Sequence, residues 1–258
     1  MQPLSQFNSN LGTAILLLGP PGGGKTVLGC RLFPRTYVLV ADLNFESGVR
    51  YLQKIKETDN IVGFDTVTVD DKGVKVPVQD WYPRMFKLLD EATRNPNIDA
   101  IFMDSATYIS DYIVAKIAMC TDERAIRMPA GKESFDKWAN YLVTWRGLIM
   151  QLRSSGKKII MSCHEQKEKD ESDGIFKYQI ALSGQIAAKL PNMFSDVWRC
   201  ETEETNGKYR WIVRTLGNIR HELKNNFAWD EGVLASDEIV KRVRATLKPL
   251  PPIAAPVA

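Results

Sequence analysis

The run Gly19-Pro20-Pro21-Gly22-Gly23-Gly24-Lys25-Thr26 carries the strongest chemical signal in the chain. It fits the spacing G-x-x-x-x-G-K-[ST] without a mismatch, after an apolar stretch and before a helical pattern. The glycines let the backbone curl until successive N–H groups point inward at phosphate oxygens, and a helix N-terminus adds a favourable dipole. Lys25 has the reach to neutralise β- and γ-phosphates, and the Thr26 hydroxyl is a ligand for Mg2+. Gly19 through Thr26, with Val27 opening the helix, form a candidate ATP site.

A metal-assisted site also needs an acid at the tip of a neighbouring strand. Ile98–Met103 is an apolar run closing on Asp104-Ser105, so Asp104 is assigned to the Mg2+ shell beside Thr26. A cap for the following helix is a second, compatible role for Asp104. Because Ser105 follows Asp104, the carboxylate that orients water must lie elsewhere. Asp42 and Glu46 follow Tyr37–Ala41, the strand after the helix that the glycine loop opens, and Glu46 is preferred because it stands a few residues past the strand tip. A solvated loop acid is the bland reading of the same residue. His164 follows the run KKIIMSC, at the sheet edge where α/β ligands bind. It is expected to sense the γ-phosphate, against the plainer reading of a hydrogen-bonded structural histidine. The catalytic set is thus Lys25, Glu46, Asp104 and His164. Glu168 stands where a zinc motif starting at His164 would need a second histidine.

Positioning these groups takes alternating strands and helices. Thr13–Leu18, Tyr37–Ala41, Ile61–Val69, Ile98–Met103 and Lys157–Cys163 read as strands. Thr26–Phe33, Asp80–Thr93, Ala106–Cys120, Phe135–Leu152, Ser183–Leu190 and Ser236–Leu247 read as helices, with Trp138, Leu142, Trp145 and Ile149 on one face of the longest. Thr121–Lys132 is polar with little periodicity, and Glu165–Gly174 reads as a charged loop. Val197–Glu201 and Lys208–Thr215 read as late strands, joined by an Asn206-Gly207 hairpin turn. The expected class is α/β, a mainly parallel sheet flanked by helices with an antiparallel edge hairpin. Residues 1–247 are expected to form a single domain, and the Pro/Ala-rich stretch 248–258 an extended tail.

Composition agrees with that class and narrows the partners. The 258 residues are 44% hydrophobic and 25% charged, ordinary for a globular protein. Lys+Arg 34 against Asp+Glu 31 gives a net charge of only +3, so any nucleic-acid site must come from local basic segments. Cys30, Cys120, Cys163 and Cys200 form no C-x-x-C pair, which argues against zinc and fits a reducing cytosol. The apolar run near the N-terminus is too short for a signal peptide or membrane span. A cytoplasmic protein with no membrane segment is expected.

GPPGGGKT, IDAIFMDS, WANYLVTWRGLIMQL, IIMSCHE and LSGQIAAKLPNMFSDVWRCE together resemble the phage-type P-loop ATPases of the RecA/RadA-like class, over about residues 10 to 225. The resemblance implies a RecA-like P-loop NTPase core that hydrolyses ATP with Mg2+ and acts on single-stranded DNA in recombination or replication. By position it implies two DNA-facing loops. One carries Arg124, Arg127 and Lys132; the other carries Lys167, Lys169, Phe176, Lys177 and Tyr178, whose aromatic rings suit stacking on unpaired bases. The second loop is also rich in acids, which suits a plain solvated loop. A ring or filament of like subunits is implied, with ATP at the subunit interface and a basic finger from the neighbour drawn from Arg214, Arg220 and Lys224. A single-strand-binding or replication protein is a further implied partner. Asn44 stands where the family expects a catalytic Glu, and the short stretch before the loop leads to the expectation of no separate oligomerisation domain there. One alternative is a nucleotide-dependent scaffold or loader with little turnover, favoured by the uncertain base. A kinase acting on a small acceptor is the other, and Ser105 and the late hairpin give it no support.

Overall fold

Apolar runs form the strands, and mixed segments between them form the helices. The computed structural model describes residues 12–41, 44–128, 134–169, 176–218, 222–227 and 229–247. In chain order the elements are β1 (Ala14–Gly19), α1 (Lys25–Leu32), β2 (Thr36–Val40), α2 (Phe45–Lys54), β3 (Ile61–Thr66), α3 (Trp81–Arg94), β4 (Ala100–Asp104) and α4 (Ala106–Ala118). They continue with α5 (Ser134–Ser154), β5 (Lys158–Lys169), β6 (Phe176–Ile180), α6 (Ile186–Lys189), β7 (Asp196–Thr205), β8 (Lys208–Arg214), β9 (Val233–Ala235) and α7 (Ser236–Ala245).

These strands make one nine-stranded sheet in the order β3-β2-β4-β5-β1-β7-β8-β9, with β6 paired to β5 off that path. From β3 across to β7 every pairing is parallel; β7–β8, β8–β9 and β5–β6 are antiparallel. The class is α/β, as the alternation of elements predicts.

Neighbouring residues of a strand face opposite ways, so each central strand feeds two cores. Ile15 and Leu17 pack in one core with α1, α2 and α7, whereas Leu16 and Leu18 pack in the other with α3, α4 and α5. Burial on both faces explains why β1, β2 and β4 read as continuous apolar runs. Trp145 and Ile149 of α5 are fully covered, with Trp138 and Leu142 half-buried beside them. Asn206 and Gly207 have φ of 54° and 72°, the left-handed pair that joins β7 to β8 in a tight turn. Among the described residues no helix is long and apolar enough to cross a membrane.

Three expectations are corrected. Glu165–Lys169 is not a loop: β5 runs on through it and pairs in register with β6, from Glu165↔Ile180 to Lys169↔Phe176. A backbone ladder, not an apolar face, holds this hairpin. A helix, α2, follows β2 where none was expected, anchored by buried Phe45, Gly48 and Leu52. The helix expected over Ser183–Leu190 shrinks to α6, followed by a 3-10 turn at Leu190–Met193, where Pro191 interrupts the helical hydrogen bonding. The N-terminal stretch and the 248–258 tail lie outside the described residues.

Candidate nucleotide-binding site

The loop 19–24 leaves β1 and winds into α1, and its shape is dictated by what lies against it. Gly24 sits at the helix cap with φ 87°, a left-handed conformation that glycine adopts without penalty. A Cβ on Gly23 would lie 2.7 Å from the Cys200 carbonyl oxygen, and one on Gly19 only 2.1 Å from it, so β7 presses directly on the loop. Trp211 of β8 closes the outer side. Its indole N–H donates to the Gly22 carbonyl at 3.1 Å, and its ring meets Tyr51 edge-on at 4.6 Å.

Inside the loop, Lys25 is 7% exposed and its ammonium donates to the Gly19 and Pro20 carbonyls, at 2.7 and 2.8 Å. Burial lowers its pKa, an effect opposed by negative groups nearby that include Asp104 and Glu165. The Thr26 hydroxyl donates to Asp104 Oδ2 at 2.6 Å, and the Ser162 hydroxyl donates to Asp104 Oδ1. Asp104 is 2% exposed. Strand order explains this meeting: β5 lies between β1 and β4, so Ser162 of β5 fills the gap that Asp104 and Thr26 span.

This donor set fits a Mg2+-bound nucleoside triphosphate. A buried ammonium held only by two loop carbonyls is free to exchange them for phosphate oxygens. A carboxylate and a hydroxyl in contact offer two oxygen ligands of the kind Mg2+ takes. The glycines at 19, 23 and 24 let the loop curl tightly under β7 and Trp211, where side chains would clash, and such a curled loop turns its N–H groups toward an anion.

His164 pairs in register with Gly19 across β1 and β5, which places it at the mouth of the loop, half-buried. The next residue, Glu165, heads an ion chain: its carboxylate accepts from Arg199 Nε at 3.0 and 3.1 Å, Arg199 also binds Glu201, and Glu201 binds Arg214. Burial raises the pKa of Glu165, and Arg199 opposes that rise. Cys163 and Cys200, fully buried beside the loop, have thiols pushed up to about 12 by burial.

The remaining sequence candidates are placed as follows. Glu46 lies in the first turn of α2, exposed and ion-paired with Arg50 at 2.6 Å. That helix abuts the loop, since a Cβ on Gly48 would lie 2.7 Å from the Thr26 methyl. Arg124 and Arg127 are exposed. Lys167 lies over the Phe176 ring at 4.1 Å, and the Arg199 guanidinium over the Tyr178 ring at 4.6 Å. Arg214 is held by Glu201, and Lys224 by the Pro191 carbonyl at 3.0 Å and Asn192 Oδ1 at 3.3 Å. Asp42, Lys132, Arg220 and the Lys169 side chain fall outside the described residues. Trp211, Tyr51, Ser162, Glu165 and Arg199 border the site with no role assigned to them from the sequence; Ser162, Glu165 and Arg199 fall within the stretches IIMSCHE and LSGQIAAKLPNMFSDVWRCE, the one signal that could have marked them.

A glycine loop after β1, an acid at the tip of β4 and a strand between the two make this a P-loop nucleotide-binding protein. A family model described as AAA domain (AAA_24) matches residues 11–227, and the chain belongs to that family. No curated protein matches the sequence. Similar solved structures include the flagellar accessory protein FlaH from Methanocaldococcus jannaschii, with a TM-score of 0.44 and 14% identity over 87% of this chain and 84% of that one. Another is the KaiC-like protein PH0186 from Pyrococcus horikoshii OT3, with a TM-score of 0.40 and 16% identity over 83% of each chain.

Proposed function

We propose that this protein binds and hydrolyses Mg2+-bound ATP and uses the cycle to act on single-stranded DNA in phage-type recombination or replication. One observation carries the link between the two activities. The strand that sets His164 opposite Gly19 runs on without a break into the β5–β6 hairpin, which bears Lys167, Phe176, Lys177 and Tyr178. A change of position at the phosphate end of β5 is therefore delivered to the hairpin by one continuous backbone.

In this reading Lys25 gives up the Gly19 and Pro20 carbonyls to hold β- and γ-phosphate oxygens, and the loop N–H groups bind the rest. Thr26 and Asp104 hold Mg2+, which supplies charge neutralisation on the phosphoryl oxygens. Glu46 orients the attacking water from the start of α2 after leaving Arg50. His164 reports the γ-phosphate to β5. Like subunits assemble in a ring or filament in the cytoplasm, with Arg214, Arg220 or Lys224 of one reaching the nucleotide of the next. A second reading, a slow nucleotide-dependent scaffold or loader, is favoured by the engagement of Glu46 with Arg50 and by Asn44 ahead of it.

Steady-state ATPase assays with and without single-stranded DNA separate the two. The motor reading expects stimulated turnover that falls about 10²-fold or more in Lys25→Ala, the usual cost of losing a charge-stabilising donor. Tight ATP binding without stimulation selects the scaffold. Unchanged turnover in Lys25→Ala removes the P-loop from the reaction altogether.

A further inference from the structure

Beside the β5–β6 hairpin, on the side away from α1, lies a cavity of about 730 Å³ walled by α4, α5 and the segment leading to α6. Its volume falls in the range of small-molecule sites, roughly 300–1,000 Å³. Four exposed polar side chains meet there. Among the described residues, the side chains of Asp111, Arg127, Gln166 and Gln179 have no hydrogen-bond or ion-pair partner. Gln166 and Gln179 face each other as a cross-strand pair of the antiparallel ladder, so their carboxamides emerge on the same face. Trp138 also lines the cavity, its ring braced edge-on by Tyr141 at 5.6 Å.

Each carboxamide offers one acceptor oxygen and an NH2 group with two donors. Two of them side by side present a donor–acceptor edge, the complement of the hydrogen-bonding edge of a nucleobase. Unpaired bases are recognised by such edge contacts together with aromatic walls, because only single strands let the base swing out. Asp111 adds an acceptor suited to an exocyclic amino group, and Arg127 adds a cation where the strand's phosphate would follow.

We infer that this cavity receives a single unpaired nucleobase of a bound DNA strand, read at its edge by the Gln166–Gln179 pair against the Trp138 wall. The inference rests on the single-stranded DNA reading above and deepens it from a basic surface to a base-reading site. Asp111 makes the site rank amino-bearing bases above thymine. Because the hairpin is an extension of β5, the occupied cavity lies on the same strand as His164.

The test is fluorescence anisotropy of labelled strands of equal length at saturating ATP: oligo(dC), oligo(dT), and an oligo(dC) backbone carrying abasic sites. Wild-type protein is expected to bind intact oligo(dC) about tenfold tighter than the abasic strand, the scale of one recognised base, with oligo(dT) between them. Gln166→Leu/Gln179→Leu is expected to lose most of that difference while binding the abasic strand and ATP as wild type does. Both side chains are exposed, so the melting temperature of this variant should match wild type. Arg127→Ala is expected to weaken all strands alike and to reduce the salt slope by about 1. Equal wild-type affinity for intact and abasic strands overturns the base-reading site while leaving DNA binding intact, and so does a full difference retained in the double variant. Absence of binding to every strand overturns the DNA reading itself, and the pocket with it.

Discussion

The phosphate-loop helix can approach the sheet closely only because of one residue, Gly29. A Cβ placed there would meet three ring carbons of Phe102 at 2.5, 2.6 and 2.7 Å. Phe102 is fully buried in β4, two residues before Asp104, so its ring has nowhere cheap to move. Gly29→Ala gains about 1 kcal/mol of helix propensity. Overpacking a filled core costs about 1–3 kcal/mol, and contacts this short belong at the upper end. The net is a loss of about 2 kcal/mol, or a fall in Tm of about 4–8 °C for a chain in this size class. The functional consequence is separate and sharper. Lifting α1 from β4 stretches the Thr26–Asp104 contact, now 2.6 Å, so ATP affinity should fall about tenfold in Mg2+, the lower end of the cost of disturbing how a metal's ligands are oriented. Phe102→Leu should relieve the clash, so the double variant should recover both Tm and affinity relative to Gly29→Ala, with a coupling of about 0.5–3 kcal/mol. Thermal melts and a fluorescent-nucleotide titration on the four proteins complete the cycle. A Gly29→Ala protein as stable as wild type, with unchanged affinity, would refute the packing argument.

Two further outcomes follow from the site. Burial holds the Lys25 pKa below its ordinary value, and its protonated form is the one that binds phosphate. Nucleotide affinity should therefore decline in the alkaline range at a pH below that of a free lysine. Stability of the empty protein should rise through the same window, because there the unfolded chain holds more protons than the folded one; titrations and melts at stepped pH, with Lys25→Met showing neither trend, check both. Trp211→Phe removes the hydrogen bond to the Gly22 carbonyl but keeps an aromatic ring, at a net cost of about 0.5–1.5 kcal/mol. ATP affinity should drop about two- to twelvefold by calorimetry, and an unchanged affinity would show that Trp211 does not brace the loop.

What the sequence discloses here depends on whether the cause is local. The run 19–26 is legible because loop, charge and helix start are contiguous, and Asp104 is legible because a covered strand ends on it. The hairpin 165–180 is not, since its strand has no apolar side: Glu165, Lys167 and Lys169 alternate with Gln166 and Glu168, and pairing with β6 alone makes it extended. Helix α2 does carry a helical pattern, with Phe45, Gly48 and Leu52 buried, but the acids in the same stretch draw the reading toward chemistry and away from periodicity.

The least legible contacts are those that cross the greatest sequence distance. Trp211 reaches Gly22 from the far end of the chain, and no local pattern marks a β8 residue as a wall of the β1 loop. The chain Glu165–Arg199–Glu201–Arg214 is similar: a period-two pattern could place Arg199 and Glu201 on one face of β7, but only the β5-β1-β7 order brings Glu165 to them. Gly19 turns away at the end of β1, which opens the space across which Glu165 and Arg199 meet. The same local event that creates the phosphate loop thus creates the gap that this ion pair fills. A motif can therefore reveal a site while remaining silent on the residues that the site's own geometry brings together.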